Sequence, residues 1–155
     1  MLIVDYTQSE YIKNLESKNK YDAIEELAKV FDGSGICKDT RILIAALRER
    51  EEIMSTGIGW GIAIPHAKLD CINEMAFAIG ISKKGIDFDS LDGNPVHLII
   101  LVAAGGSQHK DYLHLLSNIM AVLKNKKAKD KIINAATPEE LLNIMKIEAE
   151  KLAQP

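Results

Sequence analysis

Aromatic side chains are scarce here: phenylalanine, tryptophan and tyrosine make up 5% of the 155 residues. The interior must therefore be built from aliphatic groups. Cysteine is scarcer still. Cys37 and Cys71 lie 34 positions apart with no CxxC pattern, which argues against a disulfide scaffold and reads as reduced thiols of a cytoplasmic protein. No charge dominates: 19 lysines and arginines face 22 acidic residues, a net −3 that gives no reason to expect nucleic acid as partner. Long apolar runs are missing too. "VHLIILVAA" (96–104) is far too short to span a bilayer, so no direct membrane insertion is expected. Asp5, Glu10 and Lys13 interrupt the first fifteen residues, unlike the apolar region of a secretory signal. No linker or repeat appears, so residues 1–155 read as one domain.

What is present is an ordinary globular mixture, 47% apolar and 26% charged. In "NKYDAIEELAKVFDGSG" (19–35), Ala23, Ile24, Leu27, Ala28 and Phe31 recur at helical intervals, with Asn19 as N-cap and "DGSG" as the stop. A second helix is expected from Asp39 to Glu51, with Ile42, Leu43, Ala46 and Leu47 on one face. Residues 55–61 read as irregular, "IAI" (62–64) as a short strand ended by Pro65, and "MAFAIGIS" (75–82) as a strand. Turns follow around Gly85 and Asp92-Gly93. "VHLIILVAA" reads as a strand buried on both faces. Helices are expected from 108 to 125, with Ser107 as N-cap, then in "KAKDKIINAA" and in "TPEELLNIMKIEAEKL". The last has Thr137 as N-cap and Pro138 at its first position. The basic run "LKNKKAKDK" (123–131) reads as a solvated helix–helix junction. Helices on both sides of short strands indicate an α/β or α+β fold.

The segment "GIGWGIAIPHAKLD" (57–70) holds three glycines in five residues, then proline and histidine. A dinucleotide fingerprint would need a strand before the glycines and a helix after them, and the order here is reversed. No helical metal site is spelled out either: none of His66, His97, His109 and His114 pairs at i, i+4. Neither metal nor cofactor is therefore expected. His97 alternates with apolar neighbours and reads as a structural histidine. His66 differs because Pro65 removes a backbone donor and extends Ile64, leaving the imidazole at a strand end. An unperturbed imidazole, with a pKa of about 6.5, is mostly neutral at pH 7 and nucleophilic without a base. No paired carboxylates or nucleophile–base motif accompany it, which counts against a small-molecule enzyme.

"REEIMSTGIGWGIAIPHAK" (50–68) resembles the active-site segment of enzyme IIA domains of the fructose/mannitol class in the bacterial sugar phosphotransferase system, a family that includes nitrogen-related regulatory members. The likeness continues in "GIDFDSLDGNPVHLIILVAA" (85–104) and "YLHLLSNIMAVLK" (112–124). It implies a mixed sheet sandwiched between helices. It implies too that His66 accepts a phosphoryl group from the phosphocarrier protein HPr and passes it to a cysteine of a IIB domain of a sugar permease. Arg50 and the hydroxyls of Ser55 or Thr56 would be the polar surround of His66. The glycines would clear space around a histidine that two proteins must reach. The alternative within this resemblance is a regulatory protein whose phosphorylation state controls binding to targets.

One departure from the family pattern stands out. A second histidine usually opens the helix after the long buried strand, and here Tyr112 occupies that place. At about 100° per residue, His109 lies about 60° from Tyr112 and His114 about 160° away. His109, on a face with Leu113, Leu116 and Met120, is thus the expected supporting imidazole. Tyr112 is a possible donor in its own right, and His114 is expected to face solvent.

Overall fold

The sheet is organised around β6, Val96–Ala104. The computed structural model describes residues 2–154. Every residue of β6 is buried except His97, which is half-buried. A strand so apolar on both faces must be central, with its backbone groups paired on each side. On one side runs β5, Ala76–Ile86, antiparallel to it; on the other lie β3, Ile62–Ala63, and β4, His66–Lys68, both parallel. One edge is β1, Ile12–Asn14, parallel to β5, and the other is β2, Gly57–Gly59, antiparallel to β3. The result is a single α/β domain with a mixed six-stranded sheet.

Alternation along β6 creates two cores. Leu98, Ile100 and Val102 face one way and pack with Phe77, Ile79 and the inner faces of α3, His109–Leu123, α4, Lys126–Ile133, and α5, Pro138–Ala153. Ile99, Leu101 and Ala103 face the other way, against α1, Lys20–Ala28, and α2, Thr40–Ile53. Each buried isoleucine or leucine is worth about 1.5–3 kcal/mol relative to exposure, so the aliphatic core suffices without many rings.

Helix ends follow their capping residues. Asn19, Asp39, Asn125 and Thr137 each accept a first-turn backbone N–H, and Pro138 opens α5. The basic run holds the α3–α4 junction, as expected. Ser107, the expected cap of α3, does not serve. Gln108 stands there instead, and its Oε1 accepts from the Gly105 amide at 2.7 Å, bracing the turn ahead of the helix.

Three other expectations shift. Residues 57–59 pair as β2, because the 55–61 segment turns back on β3. Strand β5 runs on to Ile86, with a register irregularity between Ile81 and Ile86 that accommodates Gly85. In α2 the buried stripe is Leu43, Leu47 and Glu51, while Ile42 is 50% exposed. The inner face is thus rotated from the one the apolar letters suggest, because it ends on a carboxylate with partners of its own.

Candidate active site around His66

The chain does not leave the sheet at Pro65. Ile62 pairs with Leu98 and Ala63 with Ile99, and the same register resumes with His66 on Val102, Ala67 on Ala103 and Lys68 on Ala104. Proline lacks only a donor, and its carbonyl still accepts from the Val102 amide at 3.0 Å. His66 therefore opens β4 rather than hanging from a strand end. Strand alternation then sets direction. His66 and Lys68 share the face of Val102, towards α3, while Ala67 joins the core beneath α1 and α2.

The His66 ring is half-buried and held in a defined tautomer. Its Nδ1 lies 2.7 Å from the Ile64 carbonyl oxygen. A carbonyl can only accept, so Nδ1 carries the hydrogen and Nε2 keeps a free lone pair. Tyr112, on the first turn of α3, stands with its ring centroid 6.1 Å away. Burial pushes its phenol up to about 12, against the opposing influence of the Arg50 charge nearby. Arg50, in the last turn of α2, donates from Nη1 to the Met54 carbonyl at 2.7 Å, closing the helix end. The Tyr112 ring of α3 thus lies beside the imidazole of β4 and within electrostatic reach of the guanidinium of α2.

Ser55 and Thr56 are placed differently. The Ser55 hydroxyl donates to the Phe88 carbonyl. Thr56 is buried, donating its hydroxyl to Glu51 Oε2 at 2.6 Å and its amide to the same carboxylate at 3.0 Å. Lys20 Nζ stands 3.6 Å from Glu51 and 3.2 Å from Asp89. Both hydroxyl hydrogens are taken by Phe88 and Glu51, in the framework that fixes the 55–57 backbone. The Ile64 amide in turn donates to the Thr56 carbonyl at 3.0 Å, tying that framework to the strand that leads into His66.

The glycines serve this framework too, not the space around the imidazole. A Cβ at Gly57 would come within 2.4 Å of Ser90 Oγ and 3.0 Å of Phe88 Cβ, so the close crossing of 57 and 88–90 needs glycine. Gly59 and Gly61 take φ of 100° and 76° in the β2–β3 turn, at the end of β3 remote from His66.

The remaining histidines separate cleanly. His109 is exposed at the start of α3, and Lys68 Nζ donates to its Nδ1 at 2.8 Å. Its partner Lys68 shares a strand face with His66, while Tyr112 meets the His66 ring directly. His114 is exposed, as expected. His97 is structural, its Nδ1 donating to the Ser82 carbonyl at 2.9 Å. The buried stripe of α3 is Tyr112, Leu115, Ile119, Val122 and Leu123; Leu113, expected beside His109 on the inner face, is 51% exposed.

Residues 5–147 match the family described as "Phosphoenolpyruvate-dependent sugar phosphotransferase system, EIIA 2". The chain belongs to this enzyme IIA family. Among curated relatives, the fructose-specific EIIABC component of Bacillus subtilis is 37% identical over 132 residues, covering 85% of this chain but only 21% of that longer protein. The fructose-specific EIIA component of Haloferax volcanii is 32% identical over 126 residues, 81% of this chain and 82% of its own length. A nitrogen regulatory protein of Pseudomonas aeruginosa is 30% identical over 139 residues, 90% of each chain. The IIA-Ntr structure from Neisseria meningitidis superposes with a TM-score of 0.85 at 24% identity, covering 92% of this chain and 98% of that one. This enzyme IIA domain is therefore a phosphoryl-transfer component with fructose and nitrogen-regulatory homologues at similar identity. No helix among its described residues is long and apolar enough to cross a membrane.

Sequence reasoning about this IIA domain missed two contributors. Glu51 sits beside Arg50 in the quoted segment, yet its letter gives no sign that Leu43, Leu47 and Glu51 form one buried stripe. Lys68 was legible only as a residue two places after His66. That spacing is the signal that could have found it, because positions two apart share a strand face.

Proposed function

We propose that this domain is a phosphohistidine relay that accepts a phosphoryl group from HPr on Nε2 of His66 and passes it to a cysteine of a IIB domain for sugar uptake. The observation that carries this reading is the Nδ1–H bond to the Ile64 carbonyl, which leaves Nε2 as the free nucleophile. Attack by that lone pair forms an N–P bond as the donor's bond to phosphorus breaks. The ring gains positive charge, which the Ile64 carbonyl stabilises through Nδ1–H. Phosphoryl transfer asks chiefly for positioning and for donors aimed at the equatorial oxygens. Arg50, with N–H groups beyond the one bonded to Met54, and the Tyr112 phenol supply them here. Lys68 fixes His109 with Nε2–H as its free donor, which suits a supporting part, while Ser55 and Thr56 act by holding the backbone. The reverse step releases the group to a thiolate. A mannitol enzyme IIA of Escherichia coli has been solved with phosphorylated enzyme IIB, with a TM-score of 0.78 to this chain and 17% identity; an analogous partner is proposed for this domain.

A second reading, regulation through phosphorylation-dependent binding, is favoured by the nitrogen regulatory relative that matches 90% of the chain. Deletion separates them: loss of growth on one sugar supports transport, and unchanged growth on every sugar supports regulation. Both require phosphorylation of His66. Incubation with enzyme I, HPr and phosphoenolpyruvate should add one phosphoryl group, stable in base and labile in acid. An acid-stable adduct would overturn the relay.

A further inference from the structure

The two cysteines that look unrelated in sequence meet in the fold. Cys37 Sγ and Cys71 Sγ are 3.8 Å apart, both thiols free and half-buried. Backbone pairing around them fixes that approach. Cys37 bridges antiparallel to Ile72, the Lys38 amide donates to the Cys71 carbonyl at 3.0 Å, and the Asn73 amide donates to the Ile36 carbonyl at 2.7 Å. Asn73 Nδ2 adds a bond to the Gly35 carbonyl at 2.8 Å. The chain segments are thus clamped on both sides of the pair, and the sulfurs point at each other between the clamps. A sulfur–sulfur bond is about 2.05 Å long, so oxidation has to draw these sulfurs together from 3.8 Å while the clamps hold the backbone.

The position also matters. Residues 36–38 lead into α2, which carries Arg50 and Glu51, whereas residues 69–73 leave β4, which carries His66. The second segment is tied onward to the start of the α3 turn, since the Leu69 amide donates to the Ala104 carbonyl at 2.9 Å. A covalent link here would staple together two elements that supply the site.

We propose that Cys37 and Cys71 form a redox modification site, an intramolecular dithiol that small disulfides such as glutathione disulfide oxidise and thiols restore. The Cys71 thiolate attacks one sulfur of glutathione disulfide, forming a mixed disulfide and expelling a glutathione thiolate. Cys37 then loses its proton and attacks the Cys71 sulfur, releasing the second glutathione. Two protein thiols give up two protons and two electrons, and one glutathione disulfide takes up both electrons. Burial pushes the Cys37 thiol up, which suits it to the second, intramolecular attack rather than the first. This chemistry is independent of the part played by His66.

The test treats the native full chain with glutathione disulfide and reads intact mass and peptide links after alkylation. The expected product is a monomer two hydrogens lighter, with Cys37 joined to Cys71, fully restored by dithiothreitol. Ring closure should be roughly tenfold or more faster in the folded chain than in urea, because the fold holds the thiols together. Cys37→Ser should stop at one bound glutathione. The oxidised chain should melt roughly 5 °C or more higher, as expected for closing a loop of this length. A stable mixed disulfide on the native chain, cross-linked dimers as the main product, or equal closure rates with and without urea would each overturn the proposal.

Discussion

Strands β3 and β4 lie end to end on either side of Pro65, pair with the same strand in the same direction, and share one register. Yet both residues of β3 are buried and apolar, while β4 has His66 and Ala67 half-buried and Lys68 exposed. Hydrogen bonding cannot account for the difference, since β6 serves both. Coverage does. Ile62 belongs to the core beneath α3, α4 and α5, whereas the half-buried His66 ring stands beside the first turn of α3, where Tyr112 is the innermost residue. The same backbone therefore makes core at one end and an accessible histidine at the other, and Pro65 marks the change without disturbing the register.

The sharpest way to break the comparison is to empty each strand of its principal side chain. His66→Ala should abolish phosphorylation by HPr while leaving the melting curve nearly unchanged. Ile62→Ala should do the reverse, costing about 2–5 kcal/mol in urea unfolding while the folded fraction is still labelled on His66. Labelling of the alanine variant at position 66 would remove His66 from the chemistry.

The next effect in size falls on the guanidinium. Arg50→Lys keeps the charge but loses the planar fork of donors. It should slow transfer roughly tenfold, about 1.4 kcal/mol, in a quench-flow assay with little loss of stability. Unchanged rates would confine Arg50 to its bond with Met54.

Tyr112 offers a pH test. Its folded value, raised to about 12, exceeds the ordinary phenol value of about 10, so the fold favours the protonated form. That contribution is complete below about pH 10 and is lost as pH rises towards 12. Urea unfolding should thus show a fall in stability across this window that Tyr112→Phe lacks. Phenolate absorbance should show an ionisation near pH 12 that Tyr112→Phe lacks.

The smallest effect concerns the two histidines of α3. His109→Ala removes a ring that Lys68 holds, and should slow transfer roughly threefold, the loss of a single hydrogen bond of about 0.6 kcal/mol. His114→Ala should have no measurable effect. Equal effects would show that the contact with Lys68 plays no part in transfer.

The sequence by itself determined most of the elements and the family. The aliphatic run of β6, the helical spacings and the capping residues Asn19 and Thr137 state local preferences that tertiary packing had no reason to override. His66 was legible because a nucleophilic side chain after Ile-Pro in the family segment is a covalent fact of the chain. Only the tertiary structure decided what surrounds it. Ser55 and Thr56 carry hydroxyls suited to a phosphoryl group, but Phe88 and Glu51 claim both hydrogens from other parts of the chain. Tyr112 meets the imidazole because the buried stripe of α3 runs through it, Leu115 and Ile119, while His109 stands on the exposed side of the helix and is held by Lys68. The glycines promised room near His66 and instead form a tight crossing and a turn at the other end of β3. Such outcomes depend on contacts between residues far apart in the chain. Periodicity and motif record only which side chains are near one another along it, so the histidine of the family segment was legible in the sequence, and the orientation of its ring was settled by packing.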